Sequence, residues 1–179
     1  MNDEDLVKEF RKGNRNAFTE LVNRYSRPLT MTILRIVRDA EDAKDISQAV
    51  FLKAFEGLSG FMMASSFKTW LYRIAMNSVK DHLRKRKWTV MGPFPEDRPD
   101  PAKSPIERME AASDLKQLRA AVARLPEKQR LTLQLRIYEE MDYREIARVL
   151  GGTAGAARAN FFKATKTLRE HLGRDHESA

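Results

Sequence analysis

The chain has 179 residues with 33 Lys and Arg against 25 Asp and Glu, a formal net charge of +8. Hydrophobic residues make up 42% and cysteine is absent, which permits a packed core and excludes a disulfide framework, thiolate zinc sites and cysteine nucleophiles. The N-terminus is acidic, and no stretch reaches the roughly 18 apolar residues of a membrane span. We therefore expect a soluble cytoplasmic protein, without membrane insertion, whose partner is a polyanion such as nucleic acid or an acidic membrane face.

Charge and proline divide the chain into three segments. Residues 1–92 carry 17 basic and 11 acidic residues, residues 93–112 carry 3 and 5, and residues 113–179 carry 13 and 9. Five of the seven prolines lie between positions 93 and 105, where they exclude a continuous helix and favour a semi-extended tether. We expect two small basic domains joined by a flexible, acidic, Pro-rich linker.

Apolar residues recur at helical spacing in both basic segments, with almost no alternating strand pattern, which predicts an all-α fold. In the first segment Gly13, Gly57 and Gly60 interrupt the pattern. The predicted helices lie near residues 3–12, 15–37, 40–57 and 67–87.

Four acidic residues stand at the start of the third predicted helix: Asp39, Glu41, Asp42 and Asp45. Negative charge is favourable at this end of the helix dipole. No histidine lies nearby in the sequence, and no second acidic group is placed to complete a metal site. The cluster predicts helix capping or a protein-binding acidic patch, and we expect no metal or other cofactor.

The fourth predicted helix carries a basic stripe. Positions 73, 77, 80, 84 and 87 share one face, and they hold Arg73, Asn77, Lys80, Arg84 and Lys87. Cations can track DNA phosphates, and an amide can read a base edge. The preceding loop, residues 60–67, mixes apolar and hydroxyl side chains and can hold an unstacked base. The alternative is that Phe61, Met62 and Met63 close the core.

The C-terminal segment has the pattern of a helix-turn-helix. Pro126 suits the first turn of one helix, and Asp142 with Glu145 forms a capping box for the next. Gly151 and Gly152 end that helix, and Thr153 can cap a third. A short helix, a tight turn and a longer helix place the last helix in the DNA major groove.

Two faces are predicted on that last helix. The inward set is Ala157, Phe161, Ala164, Leu168 and Leu172, and the outward set is Arg158, Phe162, Lys166 and Arg169. A basic face with an exposed aromatic suits phosphate anchoring and base contact. An ordinary amphipathic helix with a solvated basic face shows the same pattern.

Three segments in this order and spacing resemble the extracytoplasmic-function (ECF) sigma factors of the sigma-70 family, which keep only sigma regions 2 and 4. The segments are Asp42–Phe55 (DAKDISQAVFLKAF), Phe67–Asn77 (FKTWLYRIAMN) with Asp81 and Arg84 following, and Leu125–Arg130 (LPEKQR) leading to Tyr143–Ala147 (YREIA). The resemblance implies a subunit that binds core RNA polymerase and directs promoter-specific initiation. It assigns region 2 to residues 1–92, the linker to 93–112 and region 4 to 113–179.

The resemblance also implies roles for individual residues. Contacts to core polymerase, through the beta-prime clamp helices, fall to Asp42, Asp45, Gln48 and Phe51, the last as a contact or a packing residue; region 4 would meet the beta flap. Recognition and melting of the minus-10 element, with one non-template base flipped into the loop, fall to Phe61, Ser65, Arg73, Asn77, Lys80, Arg84 and Lys87. Reading of the minus-35 element falls to Arg158, Ala159, Phe162, Lys163 and Lys166. An anti-sigma protein is implied as a regulator.

The chain departs from the family pattern at three places. Where the family has a Gln-Glu pair, this chain has Gln48-Ala49. Where the family has Arg-Gly followed by an acidic residue, it has Met62-Met63-Ala64, and where the family has Gly-Thr-Val, it has Gly155-Ala156-Ala157. The first departure weakens one core contact, and the other two leave the promoter sequence open. Because Ala156 has no hydroxyl for a phosphate, minus-35 binding is expected to be shallower or re-aimed.

The runner-up function is a stand-alone helix-turn-helix regulator that binds duplex DNA as a dimer, without polymerase. An enzyme is not expected. The chain has three histidines, no cysteine and no Gly-rich phosphate loop before a helix, so no catalytic constellation is visible.

Overall fold

The computed structural model describes residues 1–85 and 116–176, with side chains to residue 171. All regular secondary structure in these ranges is helical, which confirms the all-α prediction. The chain divides into two compact units, whose described residues lie mainly in residues 1–85 for the first unit and in residues 116–176 for the second. Within the described ranges no helix combines the length and the apolar character needed to cross a bilayer. The predicted linker, 93–112, and the predicted site residue Lys87 lie outside the described residues.

The first unit contains four α-helices and a 3₁₀ turn. They are α1 (Asp3–Arg11), α2 (Asn16–Val37), α3 (Ala40–Gly57), the 3₁₀ turn (Leu58–Gly60) and α4 (Phe67–Lys85). The first three helices agree within one residue with the predicted ranges. The fourth begins at the predicted residue.

Side-chain caps and one left-handed residue determine where these helices begin and end. Asn2 Oδ1 accepts the N–H of Asp5 at 2.8 Å, and Asp39 Oδ1 accepts the N–H of Asp42 at 2.9 Å. Such caps satisfy donors that a helix leaves unpaired in its first turn. Arg38, with φ 60°, ends α2 two residues before α3 begins. Helix capping, one of the two interpretations of the acidic cluster, is therefore confirmed for Asp39.

The core of the first unit lies between α2, α3 and α4, which pack against one another. Its fully buried side chains include Leu21, Leu29, Ile33, Val50, Leu71, Tyr72 and Met76. Burial of each large apolar side chain contributes roughly 1.5–3 kcal/mol. At one end α1 adds an aromatic cluster, in which the Phe10 ring centroid lies 5.8 Å from that of Phe18 and 5.3 Å from that of Phe55.

The second unit contains the predicted helix-turn-helix. Residues 116–124 are helical, and we call them α5; α6 (Glu127–Ile137), α7 (Tyr143–Leu150) and α8 (Ala154–His176) follow. α6 packs against α8. The buried apolar side chains of these helices include Ala121, Leu131, Leu135, Ile146, Val149, Ala157 and Ala164.

The predicted capping box at the start of α7 is present. Asp142 Oδ1 accepts the N–H groups of Arg144 at 2.7 Å and Glu145 at 2.8 Å, and Glu145 Oε2 accepts the N–H of Asp142 at 2.9 Å. This reciprocal pair satisfies backbone donors of the first turn. The sequence prediction of where α7 begins is confirmed.

Two glycines make the turn between α7 and α8. Gly151 and Gly152 have φ of 80° and 114°, in a region that strains residues with a Cβ. Thr153 Oγ1 then accepts the N–H of Ala156 at 3.1 Å and caps α8 as predicted. The tight turn and the cap determine where the longer helix starts.

Candidate nucleic-acid interface

The basic stripe predicted on the fourth helix lies on the outer face of α4. Leu71, Ala75 and Val79 on the opposite side are fully buried, which fixes the rotation of the helix about its axis. The stripe residues within the described range are Arg73, Asn77, Lys80 and Arg84, of which Lys80 is half-buried and the others exposed. Cations and one amide thus share an accessible surface, which we call the α4 face.

Two contacts modify the charge of the α4 face. Arg84 Nη2 lies 3.0 Å from Asp81 Oδ1 in an exposed ion pair, which is worth little and can be exchanged for a phosphate. Lys53, on α3, donates from Nζ to Ser78 Oγ at 3.1 Å. A cation from a second helix is thus placed at the edge of the face, a contribution that sequence reasoning missed.

The loop before α4, residues 61–66, is anchored at both ends. Phe61, a predicted base-contacting residue, is 7% exposed and stacks on Trp70 with ring centroids 4.8 Å apart. The Phe61 ring therefore packs in the core beneath the loop and is not available to stack on a base. For this residue the core-closing alternative is correct. At the other end Ser66 Oγ accepts the N–H of Thr69 at 3.1 Å and caps α4.

Between those anchors the loop presents its middle residues. Met62 is 87% exposed, so the core-closing alternative is wrong for this side chain. Met63 has φ 53°, a left-handed conformation that turns the backbone, and Ser65 is half-buried. The accessible surface of the loop is thus apolar and hydroxyl-bearing.

α3 exposes a second surface. Asp45 and Gln48 are exposed, and Leu52, which sequence reasoning did not select, is 61% exposed at the next position of the same helical stripe. Phe51 is half-buried, as suits its packing role. We call Asp45, Gln48 and Leu52 the α3 face. An apolar side chain among polar ones is typical of a protein contact.

Asp42 occupies a different environment from the α3 face. Its carboxylate Oδ2 lies 3.3 Å from His82 Nε2 on α4, with both side chains half-buried. No histidine is close to Asp42 in the sequence, but the fold brings His82 next to it. Among the described side chains, those of residues 1–85 and 116–171, no three acidic or histidine groups lie closely enough together to hold a metal ion.

The outer face of α8 carries the predicted DNA-reading residues of the second unit. Arg158, Ala159, Lys163 and Lys166 are exposed, and Phe162 is 67% exposed. On the opposite side Ala157 and Ala164 are buried, as predicted. These five predicted DNA-reading residues form one surface, the α8 face.

Tyr143 on α7 organises one edge of the α8 face. Its ring lies beneath two guanidinium groups, 5.2 Å from the Arg136 carbon and 5.6 Å from the Arg158 carbon. Phe161 packs against the same ring at 6.1 Å between centroids. Such cation–π contacts contribute about 0.5–1 kcal/mol at exposed sites. Tyr143 is a supporting residue that spacing along α8 did not reveal.

Arg130, in the LPEKQR segment, has a structural role. Its Nη1 donates to the Ala123 carbonyl at 3.3 Å, which ties α5 to α6. Burial lowers the pKa of Arg130 from its ordinary value, and the nearby Glu127 partly offsets this effect. This arginine stabilises the packing of the second unit.

Comparison with known proteins decides which family has these surfaces. The Sigma-70 region 2 model matches residues 21–89, and the Sigma-70 region 4 model matches residues 115–168. The RNA polymerase sigma-H factor of Pseudomonas aeruginosa is 36% identical, over 95% of this chain and 93% of the relative. The ECF RNA polymerase sigma-E factor of Escherichia coli is 32% identical, over 94% and 93%. The chain belongs to the ECF sigma factors of the sigma-70 family.

Solved structures agree with this sigma-factor fold. The structure of CnrH in complex with the cytosolic domain of CnrY matches with a TM-score of 0.73 and 25% identity, over 97% of this chain and 98% of that one. The sigma factor RpoE in complex with the anti-sigma factor NepR, from Bartonella quintana, matches with a TM-score of 0.70 and 22% identity, over 87% and 96%. The α3 and α4 faces lie in region 2 of this sigma factor, and the α8 face lies in region 4. The comparisons give no support to a stand-alone regulator.

Proposed function

We propose that this sigma factor binds core RNA polymerase through the α3 face and reads promoter DNA through the α4 and α8 faces. The observation that carries the proposal is that one chain with both sigma regions exposes a basic surface in each. The proposed domains are region 2 at residues 1–92, the linker at 93–112 and region 4 at 113–179. The protein would act beside the polymerase in the cytoplasm, without chemistry of its own.

Region 2 is proposed to recognise and melt the minus-10 element. Arg73, Lys80, Arg84 and Lys87 would bind phosphates, while Asn77 and Ser65 would contact the flipped non-template base. Extrusion of a base costs a few kcal/mol, which contacts in the loop must offset. Phe61 supports this site through its stack on Trp70.

Region 4 is proposed to read the minus-35 element in the major groove. Lys163 and Lys166 suit phosphate contacts, and Arg158, Ala159 and Phe162 suit base edges and thymine methyl groups. Lys166 Nζ lies 3.9 Å from Glu170 Oε1 in an exposed pair, which a phosphate can displace. Ala156 is exposed at the start of α8 and has no hydroxyl for a phosphate.

Asp45, Gln48 and Leu52 are proposed to bind the beta-prime clamp, with Asp42 and Phe51 holding α3 in place, and region 4 is proposed to meet the beta flap. An anti-sigma protein is the proposed regulator. Its support is the pair of matching structures, of which one is a sigma factor bound to an anti-sigma factor. The Pro-rich linker would permit both an inhibited and an active arrangement.

Transcription in vitro with core polymerase tests the proposal. The chain and core enzyme together should initiate from a subset of a randomised promoter library that shares minus-10 and minus-35 sequences, read by sequencing the transcripts. Core enzyme alone and the chain alone are the controls. Binding of the chain by itself to a palindromic duplex, with no directed transcription, would instead identify a stand-alone regulator.

A further inference from the structure

Arg11, the last residue of α1, reaches a distant part of region 2. Its guanidinium Nη2 donates a hydrogen bond to the carbonyl oxygen of Phe61, which lies 50 residues further along the chain. α1 precedes the residues 21–89 that match the region 2 model. The contact therefore joins an element outside the matched segment to the loop that precedes α4.

The Phe61 carbonyl lies where the loop leaves the core. The next residue, Met62, is almost fully exposed, and Met63 adopts the left-handed conformation. The Phe61 ring already stacks on Trp70. The hydrogen bond from Arg11 to the Phe61 carbonyl is a second attachment, and it restricts the direction in which the backbone leaves the core. A hydrogen bond with a charged donor is also stronger than one between neutral groups. Arg11 thus constrains the path of residues 62–65.

α1 is itself firmly held, so it can act as a rigid support. Asp3 accepts hydrogen bonds from Arg24 Nη1 and the Tyr25 hydroxyl, both on α2. At the other end of α1, Phe10 packs against Phe18 and Phe55. Attachment at both ends leaves little freedom in the position from which Arg11 extends.

We propose that Arg11 is a positioning residue for minus-10 recognition: through the Phe61 carbonyl it holds the loop at 61–66 in the shape that receives the flipped base. This inference rests on the proposed function of region 2. α1 contributes to promoter choice in this way without contacting DNA. The mechanism is a restriction of loop conformations before binding, which lowers the entropic cost of binding the base.

Two variants and a neighbouring control test the proposal in the full chain. Arg11→Ala removes the donor, Arg11→Lys keeps a cation with a single donor group, and Lys12→Ala removes an adjacent cation whose Nζ pairs with Glu9 at 2.8 Å. Holoenzymes are compared on promoters that differ only at single minus-10 bases. We expect Arg11→Ala to reduce the ratio of initiation rates between preferred and substituted bases by about fivefold, the equivalent of one ordinary hydrogen bond. Arg11→Lys should retain part of the ratio, and Lys12→Ala all of it.

Fluorescence gives a readout that does not depend on transcription. Trp70 and Trp88 are the two tryptophans of the chain, so a Trp88→Phe background leaves only the ring beneath Phe61. Arg11→Ala should increase quenching of Trp70 by acrylamide, and Lys12→Ala should not. If Arg11→Ala fails to fold, as judged by circular dichroism, Arg11→Gln takes its place in both assays.

The outcomes separate the inference from the function on which it rests. An unchanged minus-10 ratio in a folded Arg11 variant, or an equal loss of initiation on every promoter, would overturn the positioning role. If the wild-type chain directs no transcription with core enzyme, the proposed function fails. In that case unchanged Trp70 quenching would also refute the support of the loop by Arg11, whereas increased quenching would leave only the conformational part standing.

Discussion

Arg158 and Lys163 share the α8 face but differ in how they are held. The Arg158 guanidinium lies over the Tyr143 ring, with 5.6 Å between its central carbon and the ring centroid, whereas Lys163 is exposed. A planar guanidinium that is already oriented loses little freedom when it forms two hydrogen bonds to a guanine. A flexible ammonium is suited to a phosphate, which needs no fixed geometry. The two cations are therefore expected to contribute differently to promoter binding.

Substitution of each cation should separate specificity from general affinity. Arg158→Ala should cost about 1–3 kcal/mol on the preferred minus-35 element and relax the choice of one base. Lys163→Ala should weaken binding to all minus-35 variants equally and reduce the salt dependence, as log affinity against log salt, by about 1. Holoenzyme binding to a set of minus-35 variants across KCl concentrations measures both effects.

Tyr143 provides the control for the oriented arginine. Tyr143→Phe keeps the ring and should preserve specificity, while Tyr143→Ala should reproduce part of the Arg158→Ala effect and add little to it in the double variant. Core polymerase binding should be unaffected throughout. Reduced core binding in the Arg158 or Lys163 variant would contradict their assignment to DNA.

α3 connects the two proposed binding surfaces of region 2. It packs against α2 and α4, and it directs Asp45 and Gln48 outward. It also contacts α4 through Asp42 and His82 at 3.3 Å, and through Lys53 and Ser78 at 3.1 Å. The proposed polymerase surface and the proposed DNA surface therefore lie on adjacent helices with a common core.

Reversal of charge on α3 tests the polymerase surface. Asp45→Arg places a positive charge against the basic clamp surface that the family resemblance implies, and like-charge contacts across an interface are costly. We expect core affinity to fall about tenfold or more, with the fold preserved because Asp45 is exposed. Competition with wild-type chain for core enzyme measures the loss.

A matched charge reversal outside α3 controls for net charge. Glu20 on α2 is 56% exposed in its side chain, and Glu20→Arg changes the net charge by the same amount. Its affinity for core should remain close to wild type. Equal affinities for the Asp45 and Glu20 variants would contradict the assignment of the α3 face.

At the scale of the whole molecule, basic and acidic residues are distributed unevenly along the chain. Residues 1–92 and 113–179 carry the excess of Lys and Arg, while residues 93–112 contain 5 acidic and 3 basic residues. Non-specific affinity for DNA comes almost entirely from neutralised phosphates. The acidic segment 93–112, the proposed linker, is therefore expected to add no affinity for random sequence, and this favours selective binding.

Reversal of the linker charge should lower promoter selectivity. In a variant with Glu96→Lys, Asp97→Lys and Asp100→Lys, holoenzyme should be inhibited more strongly by non-promoter DNA, and the salt dependence of non-specific binding should steepen by about 0.9 for each phosphate gained. Neutralisation of the same residues, to Gln, Asn and Asn, should give an intermediate result. Unchanged inhibition in the lysine variant would show that the linker charge has no such effect.

Local patterns along the sequence were sufficient to predict the fold class, the helices, the capping box at Asp142 and Glu145, the Gly151-Gly152 turn and the outward set on α8. These features depend on residues within about one or two helical turns, and the 3.6-residue period reports which side of a helix is apolar. The same period explains why Asn77 and Arg158 were predicted to be exposed and are.

Contacts between distant residues were decided only by the tertiary structure. Five such contacts each join different elements. They are the hydrogen bond from Arg11 to Phe61, the His82–Asp42 pair, the placement of Lys53 beside Ser78, the stack of Phe61 on Trp70 and the Tyr143–Arg158 contact. Helical periodicity specifies the rotation of a helix about its own axis, but the neighbour that it meets depends on how the helices pack. For this reason the sequence by itself determined the exposed basic stripes of this sigma factor, and packing alone decided which residues support them.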